Sequence, residues 1–223
     1  ILTRDWSSDV CSSDLMNTLA ILLAIVAMIA ILVVAWLLYM GFFQTIHVEV
    51  REVPEMTVLN MNYTGSMKDM MKGVVDADRR IKELLPNAPL FPRVGSFYYT
   101  NPSNVPNPED NKWSVFYVLD DVPAMMKAAK DLPTSNDYSV VTIPKSKIMY
   151  STFVHRNNLS FMLGPSKVYP AFTAFLQKNA LVPVGSAEIY HANMDPIEYV
   201  MYLDNKEPFV SLEKTSFVKA NLL

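Results

Sequence analysis

An α+β domain behind a single membrane-spanning helix is the architecture this sequence predicts. Three observations carry that prediction. An uncharged run, "LAILLAIVAMIAILVVAWLLYMGFF" from Leu19 to Phe43, is long enough to cross a bilayer. After it, short segments of alternating character are interleaved with two helical patterns. The two halves of that region also present the same succession of elements, which predicts duplicated ββαββ units forming one antiparallel sheet with helices on one face.

In chain order, the first segment is "DWSSDVCSSDL", Asp5 to Leu15. It is polar, lacks hydrophobic period and has no basic n-region. The string resembles a sequencing adapter translated in frame, so residues 1–15 are expected to be an artefact and the protein to begin at Met16. The chain has 19 Lys+Arg and 22 Asp+Glu. Without Arg4, Asp5, Asp9 and Asp14 the balance is 18 against 19. That near-neutral charge offers no footprint for nucleic acid. The sole cysteine, Cys11, lies in the same segment, so disulfides, thiol catalysis and cysteine-ligated zinc are excluded from the rest. Cysteine absence leans towards a reducing compartment.

Residues 16–44 are predicted to be an uncleaved anchor, with 19–43 in the lipid bilayer. The apolar run exceeds an ordinary signal-peptide core and no A-x-A-like site follows it. Trp36 and Tyr39 sit where an interfacial aromatic belt belongs. Arg51 and Lys68 follow the span while no base precedes it after Met16, which places the C-terminal domain in the cytosol. Two acceptor sequons, "NYT" at Asn62 and "NLS" at Asn158, report on that orientation.

Residues 45–212 make the domain, with repeats over about 46–120 and 137–204. "VEVREVPEMTVLNMNYTG" and "YSVVTIPKSKIMYSTFVH" each set an alternating segment, a proline (Pro54, Pro144) and a second alternating segment in succession. Met67, Met70, Met71, Val74, Ile81 and Leu84 then keep helical spacing, with Ser66 and Asp69 at the start and Pro86 as the stop. In the second half Val168, Phe172, Phe175 and Leu176 form the buried stripe, and Pro170 is expected in the helix's first turn. "SFYYTNP" and "AEIYHANMDP" follow as strands, closing on "WSVFYVL" and "IEYVMYL". A short apolar helix around "AMMKAA" joins the halves.

This pattern resembles the GyrI-like small-molecule-binding superfamily, on the duplicated unit, "FYYTNPSNVPNPEDNKWSVFYVL" and "AEIYHANMDPIEYVMYL". The resemblance covers about Ile46 to Leu212. With an anchor in front, it is nearest to the testis-expressed ER-phagy receptor family, on "YYTNPSNVP" from Tyr98 to Pro106. That resemblance implies a single-pass endoplasmic reticulum protein with a cytosolic domain and ubiquitin-like autophagy modifiers as partners. It also implies a long acidic tail, of which 213–223 would be a remnant.

The superfamily's groove carboxylate for hydrophobic cations maps onto Glu198, with Glu188 in reserve. Tyr98, Tyr99, Trp113, Tyr117, Tyr190 and Tyr199 can supply ring faces for cation–π contact. A groove glutamate also serves some GyrI-like hydrolases, but His47, His155 and His191 stand in no catalytic or zinc-ligand spacing, and no enzyme, metal or cofactor is predicted. Phe209 and Leu212, in "EPFVSLE", have the aromatic-x-x-aliphatic spacing of a modifier-binding peptide that adds to a sheet edge.

Overall fold

The computed structural model describes residues 9–87, 93–101, 104–133 and 135–220, the side chains of 9–15 excepted. The chain divides into two compact units, Ile1–Gln44 and Thr45–Leu223. The described residues of the first form one helix, α1 (Asp9–Tyr39). Its stretch Met16–Tyr39, 24 residues, is long and apolar enough to cross a membrane. Of the segment expected to be an artefact, residues 1–8 lie outside the described residues and the backbone of 9–15 continues α1.

The second unit runs β1 (Glu49–Val53), β2 (Met56–Thr64), α2 (Met70–Leu84), β3 (Arg93–Tyr98) and β4 (Lys112–Val118). After α3 (Pro123–Lys130) come β5 (Ser139–Ile143), β6 (Ser146–Phe153), α4 (Ser160–Asn179), β7 (Gly185–His191) and β8 (Ile197–Tyr202). The chain then makes α5 (Glu207–Leu212) and β9 (Phe217–Lys219). Among the described residues all strands join one sheet, ordered β1-β6-β8-β7-β3-β4-β2-β5, with β9 alongside β2. Every pairing is antiparallel except β2 with β9.

Neither proline-separated pair of strands folds into a hairpin. β1 crosses to β6, from Glu49↔Tyr150 to Val53↔Ser146, and β5 crosses to β2, from Met56↔Ile143 to Asn60↔Ser139. The connections Pro54-Glu55 and Pro144-Lys145 lack the glycine or asparagine that a two-residue reversal needs at positive φ. The chain therefore stays extended and each outer strand finds the opposite end of the sheet.

Helix α2 begins where Ser66 caps a short 3₁₀ turn, Met67–Asp69, and ends before Pro86. Helix α4 departs from the expectation. It starts at Ser160, so Pro165 and Pro170 both lie inside it rather than Pro170 in its first turn. Each proline removes one helical N–H. The helix persists because Ser160, Gly164, Val168 and Phe172 repeat every four residues and are all buried. Side chains also bond back to it: Ser166 Oγ donates to Leu163 O at 2.8 Å and Thr173 Oγ1 to Tyr169 O at 2.9 Å.

Alternation along the strands sorts side chains onto two buried faces. On one face, Leu59, Met61, Tyr63, Trp113 and Val115 pack beneath α2, and Met149, Phe153, Ile197 and Tyr199 pack with Val168 and Phe172 of α4. On the reverse face, Val58, Phe97, Phe116, Ile148, Val200 and Tyr202 pack with Phe209 and Leu212 of α5. The segment after Leu212, expected as a remnant, instead reaches back into the sheet. Asn62 Nδ2 donates to Leu212 O and Thr215 Oγ1, both at 2.6 Å, and β9 pairs with Asn62–Thr64.

Two glycines set how closely the helices approach. A Cβ on Gly73 of α2 would stand 2.2 Å from the Trp113 ring, and one on Gly164 of α4 would stand 2.2 Å from the Tyr199 hydroxyl. A polar clasp also ties α2 to the sheet: the Tyr63 hydroxyl donates to buried Asp76 at 3.1 Å, and Arg79 and Arg80 each donate to it at 2.6 Å. Burial alone would raise the Asp76 carboxyl. The two guanidiniums and the phenol overcome that and hold it below the ordinary carboxylate range.

Candidate functional site

The centre of the sheet is the pair β3 and β7, in register from Arg93↔His191 to Tyr98↔Ser186. On the face that carries α2 and α4, these strands present Ser96, Tyr98, Glu188 and Tyr190. Register then places Tyr199 of β8 beside Glu188, and Trp113 of β4 beside Tyr98. Helix α4 brings Tyr169 over this row, and α2 brings Met70, whose Sδ accepts from the Tyr98 hydroxyl at 3.8 Å.

Glu188 is the focus, with 5 % of its surface exposed. Tyr169 donates to its Oε1 at 3.0 Å and Tyr190 to its Oε2 at 2.5 Å. Among the described residues, no Lys, Arg or His forms an ion pair with it. Burial pushes the Glu188 carboxyl up, and the hydrogen bonds of Tyr190, Tyr169 and Tyr98 only partly restrain it. The same burial, followed by the nearby carboxylate charge, pushes Tyr98, Tyr169 and Tyr190 well above the usual phenol range. The phenols thus keep their protons and remain donors.

Rings enclose this carboxyl. Tyr169 meets Tyr199 edge-on with centroids 5.9 Å apart, and Phe161 meets Tyr190 edge-on at 5.7 Å. Tyr199 is fully buried and its hydroxyl lacks a hydrogen-bond partner among the described residues. The arrangement is an acidic point with hydroxyl donors, walled by aromatic faces.

The structure gathers four of the residues expected from sequence: Glu188, Tyr98, Tyr190 and Tyr199. It separates the others. Glu198, expected as the main carboxylate, pairs with Ile189 rather than Glu188 and so projects from the reverse face. There its Oε1 lies 3.0 Å from His191 Nε2 and its side chain is 20 % exposed. Tyr99 is also on the reverse face, where its hydroxyl donates to Asn62 Oδ1 at 3.0 Å and lies 3.2 Å from Ser114 Oγ. Trp113 shares the helix-bearing face but is sealed, 0 % exposed, stacked on Tyr63 with centroids 5.0 Å apart. Tyr117 is buried in the core beneath α2.

Phe209 and Leu212 are corrected outright. They stand in helix α5, not an extended segment, and both are buried, Phe209 against Phe97 and Tyr202. A peptide that adds to a sheet edge must offer both side chains outward, and these two already fill the core.

Two contributors escaped the sequence reading, Tyr169 and Phe161. The apolar stripe identified α4 but not the residue one step round from Val168. A tyrosine flanking a buried stripe is the signal for a polar tip meeting something beneath the helix.

No sequence-family profile matches the chain, and no curated protein matches it. Solved structures do. A cryo-EM structure of an EcmrR–DNA complex is similar with TM-score 0.51 and 9 % identity, over 89 % of this chain and 72 % of that one. A crystal structure of the EcmrR C-terminal domain gives TM-score 0.51 and 10 % identity, over 73 % and 99 %. SAV2435 bound to tetraphenylphosphonium gives TM-score 0.41 and 12 % identity, over 72 % and 96 %. The likeness to the two EcmrR structures is one of fold alone. None of the three supports the narrower resemblance to ER-phagy receptors.

Proposed function

We propose that the domain is a receptor for a small apolar cation, bound at Glu188 and displayed from a membrane by Met16–Tyr39. One observation carries this reading: a buried carboxyl surrounded by phenols and rings, with no basic side chain among the described residues to neutralise it. A structural acid in such a place is usually paired. An unpaired one has its charge complement to gain from a ligand, and ring faces add cation–π attraction. We assign binding rather than turnover, because the surrounding phenols are held in their neutral forms and none is an activated nucleophile.

The test is calorimetric titration of the full chain in nonionic detergent, with empty micelles as blank. Tetraphenylphosphonium supplies a permanent charge on an apolar body, and triphenylphosphine oxide a neutral analogue. The cation is expected to bind at least about tenfold more tightly, the scale of one charge-assisted contact. Equal affinities, or no binding of the cation, would overturn the reading.

The domain also reads as an internal duplication with the site at its seam. Read inward from the two edges, the order β1-β6-β8-β7 is matched by β5-β2-β4-β3. With the pair Phe97↔Ala187 on the two-fold axis of the duplication, Tyr98 and Glu188 occupy equivalent positions. Gly73 over Trp113 and Gly164 over Tyr199 are equivalent as well. A seam of this kind lets two different side chains from equivalent places converge on one ligand.

On topology we keep the cytosolic assignment, which the basic residues after the span support. Only one sequon can report on it in the folded chain. Asn62 is 1 % exposed and bonded into the core, whereas Asn158 is exposed in the turn before α4. The wild-type chain expressed in a eukaryotic cell is expected to show no glycosidase-sensitive mass shift. A shift lost on Asn158→Gln would place the domain in the lumen.

A further inference from the structure

We propose that the site exchanges a proton for its cation: Glu188 is protonated while the site is empty and releases that proton to solvent when the ligand enters. The inference rests on the cation-binding reading above and concerns how that site is regulated.

The geometry provides for both protonation states. Facing Glu188 are Tyr190 from its own strand, Tyr98 from β3, Tyr199 from β8 and Tyr169 from α4. Helix α2 contributes Met70 through Tyr98, not a charge. The Phe161 ring packs against both Tyr190 and His155, and His191 meets Glu198 on the opposite face of the sheet. A phenol both donates and accepts. Around an ionised Glu188 the tyrosines turn their hydroxyls inward and donate. Around a protonated one, a tyrosine oxygen accepts the carboxyl proton. No polar atom of the carboxyl is orphaned in either state, so the shell itself does not force ionisation.

Burial then decides the empty state. With 5 % exposure and no neighbouring cation, the neutral carboxyl is the cheaper occupant. Burial raises this group above the usual carboxylate range, in the same direction. A permanent cation reverses the preference, because it stabilises only the ionised form. Linkage requires that ligand and proton then compete.

The experiment titrates the full chain in detergent with tetraphenylphosphonium from pH 5.5 to 8.5, at each pH in two buffers of different ionisation enthalpy. Affinity is expected to rise with pH, by up to about tenfold per unit below the midpoint, with close to one proton released per cation there. Triphenylphosphine oxide should show no such rise. Tyr169→Phe removes a hydrogen bond that favours the carboxylate and is expected to move the midpoint to higher pH, a shift that loss of packing alone would not produce. Glu188→Gln should bind the cation weakly at every pH. Cation affinity that is constant across the range, without proton release, would overturn the exchange and leave the binding site standing. No binding at any pH would overturn the binding reading itself, and the exchange with it.

Discussion

Glu188→Gln is expected to weaken binding of tetraphenylphosphonium by roughly 10- to 100-fold at pH 8, the range that removing one charged partner produces. Glutamine keeps the shape and can still accept from Tyr169, so what is lost is the charge. The same substitution should leave stability at pH 8 equal to or above that of the wild type. The sign follows from the direction of the shift. The folded state holds Glu188 above its unfolded value, so the wild type loses stability as pH rises from the ordinary carboxylate range through the folded midpoint. The variant has no such group to ionise. Calorimetric titration and thermal melts at pH 5.5 and 8 measure both effects. A variant that binds as tightly as wild type, or that melts well below it at pH 8, would show that Glu188 is a structural acid.

Trp113→Ala separates the core from the site. Trp113 is the largest fully buried side chain, stacked on Tyr63 and in contact with Gly73 of α2. Truncating it should destabilise the domain by about 3–5 kcal/mol, the range for deleting a large buried aromatic. For a unit of this size that lowers the melting temperature on the order of 10 °C. Binding of the cation, measured at 10 °C where the variant remains folded, should stay within about threefold of wild type, because Trp113 is packed beneath α2 and Glu188 is met by Tyr98, Tyr169 and Tyr190. A large loss of affinity in the folded variant would return Trp113 to the ligand site.

The element sequence was legible because local chemistry announces it. Pro86 and Ser66 bracket α2, the apolar stripe marks α4, and alternating segments mark the strands. The prolines inside α4 were less legible. A proline argues locally for a helix start, while the burial of Ser160 and Gly164 that extends the helix is a tertiary fact. The exchange of β1 and β5 between the halves was equally out of reach, since a short proline-containing connection shows only that no tight reversal forms, not where the strand goes.

The candidate site turned on one choice that the strand sequence does not make. Glu188 and Glu198 both stand in central strands whose two faces are covered, one by α2 and α4 and the other by α5. With apolar side chains on both faces, "AEIYH" and "IEYVMY" show no polar and apolar alternation to say which face a given glutamate takes. Sequence by itself determined that acids and tyrosines share these strands, and that an apolar helix of spanning length precedes the domain. Tertiary structure decided which acid is buried, because register fixes Glu188 beside Tyr199 under α4 and turns Glu198 to His191 on the other side. It decided likewise that Phe209 and Leu212 are core: their spacing fits a recognition peptide and a short amphipathic helix equally well, and only the apolar surface of Phe97 and Tyr202 beneath them selects the helix.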